Sequence, residues 1–271
     1  MIERGMPGAS PDLGEVGIGL PGETPHSTVA KVAALAEERG LRSFWLNDTP
    51  RGDSLAGLAA AADATRSLRL GSGVIPLDRR GVADVARDIR RRGLPEERLV
   101  VGLGAGGLAR PLATVREGAA ALSAAVEASV IIGALGPRMR HLAATASDGV
   151  LLNWLTPAIA ATTRDDIHRQ ADGAGRLGHT ALYVRTALDA DAGGVLREQA
   201  ALYGRIPAYA RNFEALGVSA IDTAIGPADP IAGRLRAYRA AVDEVVIRVL
   251  TADSSERSYL DFVRRLADAV E

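Results

Sequence analysis

The chain has 271 residues, 32 basic and 33 acidic side chains and a formal net charge of −1. That balance exerts no overall pull toward nucleic acid or an anionic membrane surface, so neither is an expected partner. The absence of cysteine removes disulfides, thiolate metal sites and thiol catalysis together. His26, His141, His168 and His179 are scattered without metal-ligand spacing, and no protein-bound metal is expected. Lys31 is the only lysine and falls on a predicted helix, which argues against an aldolase-type Schiff base. The start of the chain lacks the layout of a signal peptide and no apolar run reaches about 18 residues, so a cytoplasmic protein is expected.

Residues 1–14 are rich in Gly and Pro and read as a loose segment; residues 15–271 read as one domain. Val16–Leu20 is a short apolar strand, followed by a helix over Thr28–Arg39 that Gly40 closes. Leu41–Leu46 is a second strand, Ser54–Ala64 a helix, Leu68–Ile75 a third strand and Val82–Arg92 an arginine-rich helix. Leu99–Leu103 is apolar without alternation, as in strands buried on both faces, and dissolves into glycines. Thr114–Val126 is its helix, and Ala128-Ser129 leads straight into the strand Val130–Ala134. Gly136-Pro137 opens a helix to Ser147, with proline where a first turn tolerates it. Gly149–Trp154, Ala181–Leu188 and Glu244–Leu250 complete eight strands. The helices between and after them are Pro157–Ala174, Val195–Tyr203, Pro207–Leu216, Asp229–Ala241 and Ser255–Val270. This alternation, in a length near the roughly 250 residues typical of the fold, predicts an α/β, single-domain (β/α)8 TIM barrel.

Gly102-Leu103-Gly104-Ala105-Gly106-Gly107 matches G-x-G-x-x-G, a weak signal by itself. A dinucleotide site would carry an acid ending the next strand, and Val130–Ala134 runs into Leu135-Gly136-Pro137 instead. Taken with Leu70-Gly71-Ser72-Gly73-Val74, Gly136-Pro137-Arg138 and Ala146-Ser147-Asp148-Gly149-Val150, the glycine stretch resembles the bacterial luciferase-like superfamily. Those proteins are flavin-dependent monooxygenases and oxidoreductases using the deazaflavin coenzyme F-420.

The resemblance implies a luciferase-like barrel whose cofactor lies at the C-terminal strand ends. It implies a non-proline cis peptide in a bulge at Gly73-Val74, backing the ring. Ala105, Gly106 and Gly107 would line the ring, Asp48 would stand beside it, and Gly136, Pro137 and Arg138 would seat its phosphate. A helix N-terminus is an anion site in its own right. A homodimer is also expected from the resemblance. Thr49 and Gly107 stand where a sugar-phosphate dehydrogenase branch has a histidine and a glutamate, so that branch's activity does not carry over. The link before strand five is short where the family builds part of a lid, which implies a pocket that is open, small or completed by a partner subunit.

Arg79 and Arg80 either hold a cofactor's anionic tail or form a solvated pair. Arg185 and Arg248 lie inside strands, where a charge must be paired or reach an opening. An internal salt bridge and contact with an anionic ligand are both open readings for them. Catalytic candidates are His26, Asp48, Thr49, Trp154 and Arg248; Trp154 either walls a substrate pocket or plugs the barrel mouth. The expected function is hydride transfer between coenzyme F-420 and a small organic substrate. The alternatives are an FMN-dependent luciferase-like monooxygenase and a degenerate, non-catalytic flavin-binding barrel.

Overall fold

The structure is a computed structural model that describes residues 14–270. The expected loose segment lies outside the described residues except for Gly14, whose amide donates to the Arg239 carbonyl at 2.7 Å. Eight parallel strands close into a barrel in sequence order. They are β1 (Glu15–Pro21), β2 (Ser43–Asn47), β3 (Arg69–Pro76), β4 (Leu99–Gly104), β5 (Ser129–Gly133), β6 (Gly149–Asn153), β7 (His179–Ala187) and β8 (Glu244–Leu250). The outer helices that matter below are α1 (His26–Glu38), α2 (Ser54–Ala64), α3 (Val82–Arg91), α4 (Pro111–Ala125) and α5 (Pro137–Ala146). They are followed by α6 (Pro157–Gly173), α7 (Ala190–Arg205), α8 (Pro207–Leu216), α9 (Ile231–Arg239) and α10 (Glu256–Val270). Only three residues separate α4 from β5, so the short link read from the sequence is present.

Strand side chains alternate between the helix layer and the barrel interior. Outward residues such as Ile18, Phe44, Leu70, Val101, Ile132 and Ile247 join the large core under the helices. Inward residues form a second core of Trp45, Ile131, Leu151, Ala181, Tyr183 and Val246. Trp45 fits because β3 offers no side chain opposite it: a Cβ on Gly71 would lie 2.1 Å from its ring. Its Nε1 donates to Glu244 Oε1 at 2.7 Å. Below it, Glu244 also accepts from Ser43 and Arg69 and meets His179 Nε2 at 3.1 Å. This polar layer closes the N-terminal end of the barrel, which leaves the C-terminal end to hold a ligand.

The register between β3 and β4 shifts between Ser72 and Ile75, so the expected bulge is there. The expected cis peptide is not: all peptide bonds among the described residues are trans. The extra residue of the bulge alone turns the strand, and it re-aims the Val74 side chain into the barrel mouth.

Candidate functional site

A cavity of about 490 Å³ opens at the C-terminal ends of the strands. Its floor and walls follow from strand parity and from glycine. Asn47, Val74, Gly104, Gly133, Asn153, Arg185 and Arg248 line it from the last inward layer of β2 to β8. Val74 stands between two glycines: a Cβ on Gly104 would lie 2.1 Å from Val74 Cγ1, and one on Gly133 2.3 Å from Cγ2. Beyond them Ala105, Gly106, Leu135, Gly136 and Met139 form a wall made largely of backbone. Gly136 is the N-cap of α5, and no side chain caps that helix. With Pro137 in the first turn, the next amides have no intrahelical partner and favour an anion.

Gly106 has φ +59, and a Cβ there would meet the Asp78 carboxylate at 2.0 Å. Asp78 accepts from the Gly107 amide at 2.7 Å, which fixes the loop after β4. Asp48, at the end of β2, accepts from Arg79 Nη2 at 2.6 Å and from the Ser54 hydroxyl at 3.0 Å. Burial pushes its carboxyl above the ordinary range against the pull of Ser54, Arg79 and Arg80.

Of the residues read from the sequence, Asp48, Val74, Ala105, Gly106, Gly136 and Arg248 line this cavity. Gly73 lies just beneath, 3.3 Å from the Tyr183 hydroxyl by its would-be Cβ. Pro137 and Arg138 are exposed at the start of α5, and Gly107 is exposed behind Gly106, its amide held by Asp78. Arg79 and Arg80 stand on the correct face, but acids already match their charges. Arg79 pairs with Asp48, and Arg80 pairs with Asp88 and with Asp53, the latter at 3.1 Å. His26 is exposed at the first residue of α1, outside the cavity lining. Thr49 gives its hydroxyl to Glu23 at 2.8 Å. Trp154, with φ +56, is buried one layer behind the wall against Ala200, Phe213 and Ala220.

Tyr183, Asn47, Tyr203 and Tyr209 are among the lining residues that had not been singled out as site residues. Tyr183 is buried in β7, and its hydroxyl has no hydrogen-bond partner among the described residues. Asn47 Oδ1 is likewise unpartnered. Tyr203 of α7 and Tyr209 of α8 bring an aromatic corner over the opening, with ring centroids 4.8 Å apart. The salt bridges left open for Arg185 and Arg248 do not form: neither guanidinium has a carboxylate partner among the described residues. Arg185 gives a hydrogen bond to Asn153 Oδ1 at 2.7 Å and lies over the Trp154 ring at 3.6 Å.

The family model for luciferase-like monooxygenases matches residues 10–115. A 5,10-methylenetetrahydromethanopterin reductase of Methanolobus tindarius is 29% identical over 188 residues, 56% of this chain and 58% of that protein. The match therefore spans little more than half the length of that relative. Among solved structures, the coenzyme F-420-dependent tetrahydromethanopterin reductase of Methanopyrus kandleri superposes with a TM-score of 0.71 at 17% identity. It covers 96% of this chain and 100% of that one. The oxygenating constituent of 3,6-diketocamphane monooxygenase from Pseudomonas putida, solved with FMN, reaches 0.67 at 12% identity over 95% and 98% of the two chains. The resemblance read from the glycine segments thus holds: residues 10–115 carry the luciferase-like monooxygenase sequence pattern, and the closed barrel has the fold of F-420-dependent reductases and FMN monooxygenases.

Proposed function

We propose that the chain is an oxidoreductase that holds a flavin-type ring at the barrel mouth, with coenzyme F-420 as the first reading and a small organic molecule as substrate. The observation that carries this is the backbone-walled slot itself. Val74 projects between Gly104 and Gly133 and Ala105-Gly106 follow, so a flat ring can lie against main chain without displacing side chains. The uncapped N-terminus of α5 borders the same cavity and fits a phosphate on the ring's tail. When bound, the deazaflavin supplies two-electron hydride chemistry; the protein supplies orientation and electrostatics.

Gly136 and the first-turn amides of α5 would hold the phosphate, and Asp48, braced by Ser54 and Arg79, would fix the ring edge near β2. Tyr183 is a proton-bearing group beside the bulge, its hydroxyl 3.3 Å from the would-be Cβ of Gly73. Burial pushes its hydroxyl upward, so it stays protonated at neutral pH and keeps a free O–H to donate. Tyr203 and Tyr209 narrow the opening and limit water.

FMN with oxygen chemistry is the second reading, favoured by the monooxygenase family model and by the FMN-bound structural relative. Separate fluorescence titrations with F-420 and FMN test the proposal. Saturable quenching of one is the expected result, and an unchanged signal with both would refute it.

A further inference from the structure

We infer that Arg185 and Arg248 form an oxyanion-reading site in the mouth, and that the oxyanion is a carboxylate of the substrate. The two residues are direct register partners on β7 and β8, so both side chains leave the same inward face at the same height. Both line the cavity. Arg185 is 7% exposed, and neither residue has a carboxylate partner among the described residues. Among the described residues Arg248 donates only to the Val249 carbonyl, at 2.8 Å. The Nε of Arg185 has no hydrogen-bond partner among the described residues.

A buried cation beside a second cation is costly unless something neutralises the pair. The rest of the site orients these groups for a ligand rather than quenching them. Asn153 and the faces of Trp154 and Tyr203, 3.6 and 4.6 Å from the guanidinium carbon, hold Arg185 in one pose. The unpartnered Tyr183 hydroxyl lies two residues away on the same face of β7 and offers a further donor. Two guanidiniums and a phenol present donors and no acceptors suited to a cation, which selects a planar oxyanion. The neighbouring Tyr203 and Tyr209, with ring centroids 4.8 Å apart, make an aromatic corner for the body of the molecule.

A cofactor phosphate has the same chemistry as a carboxylate. Assigning the site to substrate rests on the proposed function, in which the phosphate sits at α5 across the cavity. The closing experiment separates the two sources. Benzoate and benzamide are titrated by calorimetry into the full chain, R248M and R185K, and riboflavin and FMN are titrated in parallel.

The inference expects benzoate to bind and benzamide not to. It expects R248M to weaken benzoate at least tenfold, R185K to weaken it less, and the FMN-to-riboflavin affinity ratio to stay unchanged in both variants. It also expects R248M to unfold at a higher temperature than the parent without ligand, because an uncompensated charge has gone. A merely structural arginine would do the reverse, so a lower midpoint counts against the site. Equal affinity for benzoate and benzamide overturns it. Loss of the FMN preference over riboflavin in R248M reassigns the arginines to the cofactor tail and overturns the substrate assignment. If no flavin or deazaflavin binds, the proposed function fails, and the benzoate arm still decides the anion site.

Discussion

The Val74 nest lends itself to a double-mutant test. Gly104→Ala places a Cβ 2.1 Å from Val74 Cγ1, while the Cβ of Val74 would remain 3.5 Å away, at ordinary contact distance. The clash therefore lies wholly with one methyl group. Overpacking of this kind costs about 1–3 kcal/mol, and Gly104 has no positive φ that would add backbone strain. Val74→Ala alone removes two methyl groups from a half-buried position and should cost about 1 kcal/mol. In the double variant the clash is gone, so its stability should match V74A and show a coupling equal to the G104A cost, about 1–3 kcal/mol. Urea unfolding followed by circular dichroism gives all four values, read as midpoints at constant slope. Strict additivity would refute the geometry of the bulge and of the wall built upon it.

Other outcomes follow from the same structure. Glu244 is 1% exposed, and its hydrogen bonds and the positive charge of Arg69 hold its carboxyl at about 2 against the opposing effect of burial. A lowered carboxyl contributes stability above its ordinary range and loses it as pH falls toward 2, here by about 3 kcal/mol. Urea midpoints measured from pH 5 downward should fall less steeply in E244Q than in the parent; parallel curves would contradict this. Asp78→Ala frees the Gly107 amide to water, so a loss near 0.5–1 kcal/mol is expected, together with faster amide exchange in the loop after β4. Gly106→Ala, at φ +59 and against Asp78, should cost more than D78A in the same unfolding assay.

The barrel was legible because most strands are short apolar runs ended by turn residues and most helices open on a proline or a capping side chain. Pro207–Leu216 and Glu244–Leu250 fall where the sequence placed them. Helix α7 begins at Ala190 rather than near Val195. Gly193 and Gly194 weakened the pattern, although Asp189 caps the helix by accepting from the Ala192 amide at 2.8 Å.

The glycine wall could be read because its chemistry is local. Partners that meet only after the barrel closes could not. Asp48, Asp53 and Asp88 reach Arg79 and Arg80 from β2, the start of α2 and α3, and turn an apparent anion site into an ion-pair cluster. Tyr183 reads as a core residue from its strand, and only the parity set by closure aims its hydroxyl at the mouth. The same parity was available for Arg185 and Arg248; their shared height was not, since it depends on the register of β7 against β8.

The central claim, a planar redox ring resting on the Val74 shelf, is tested most directly by crystallising the chain with F-420 and, separately, with FMN. The account predicts ring density against Val74 and Ala105-Gly106 with the phosphate at the Gly136 end of α5. Density for a bound cofactor elsewhere on the molecule, with the mouth still open, would contradict it.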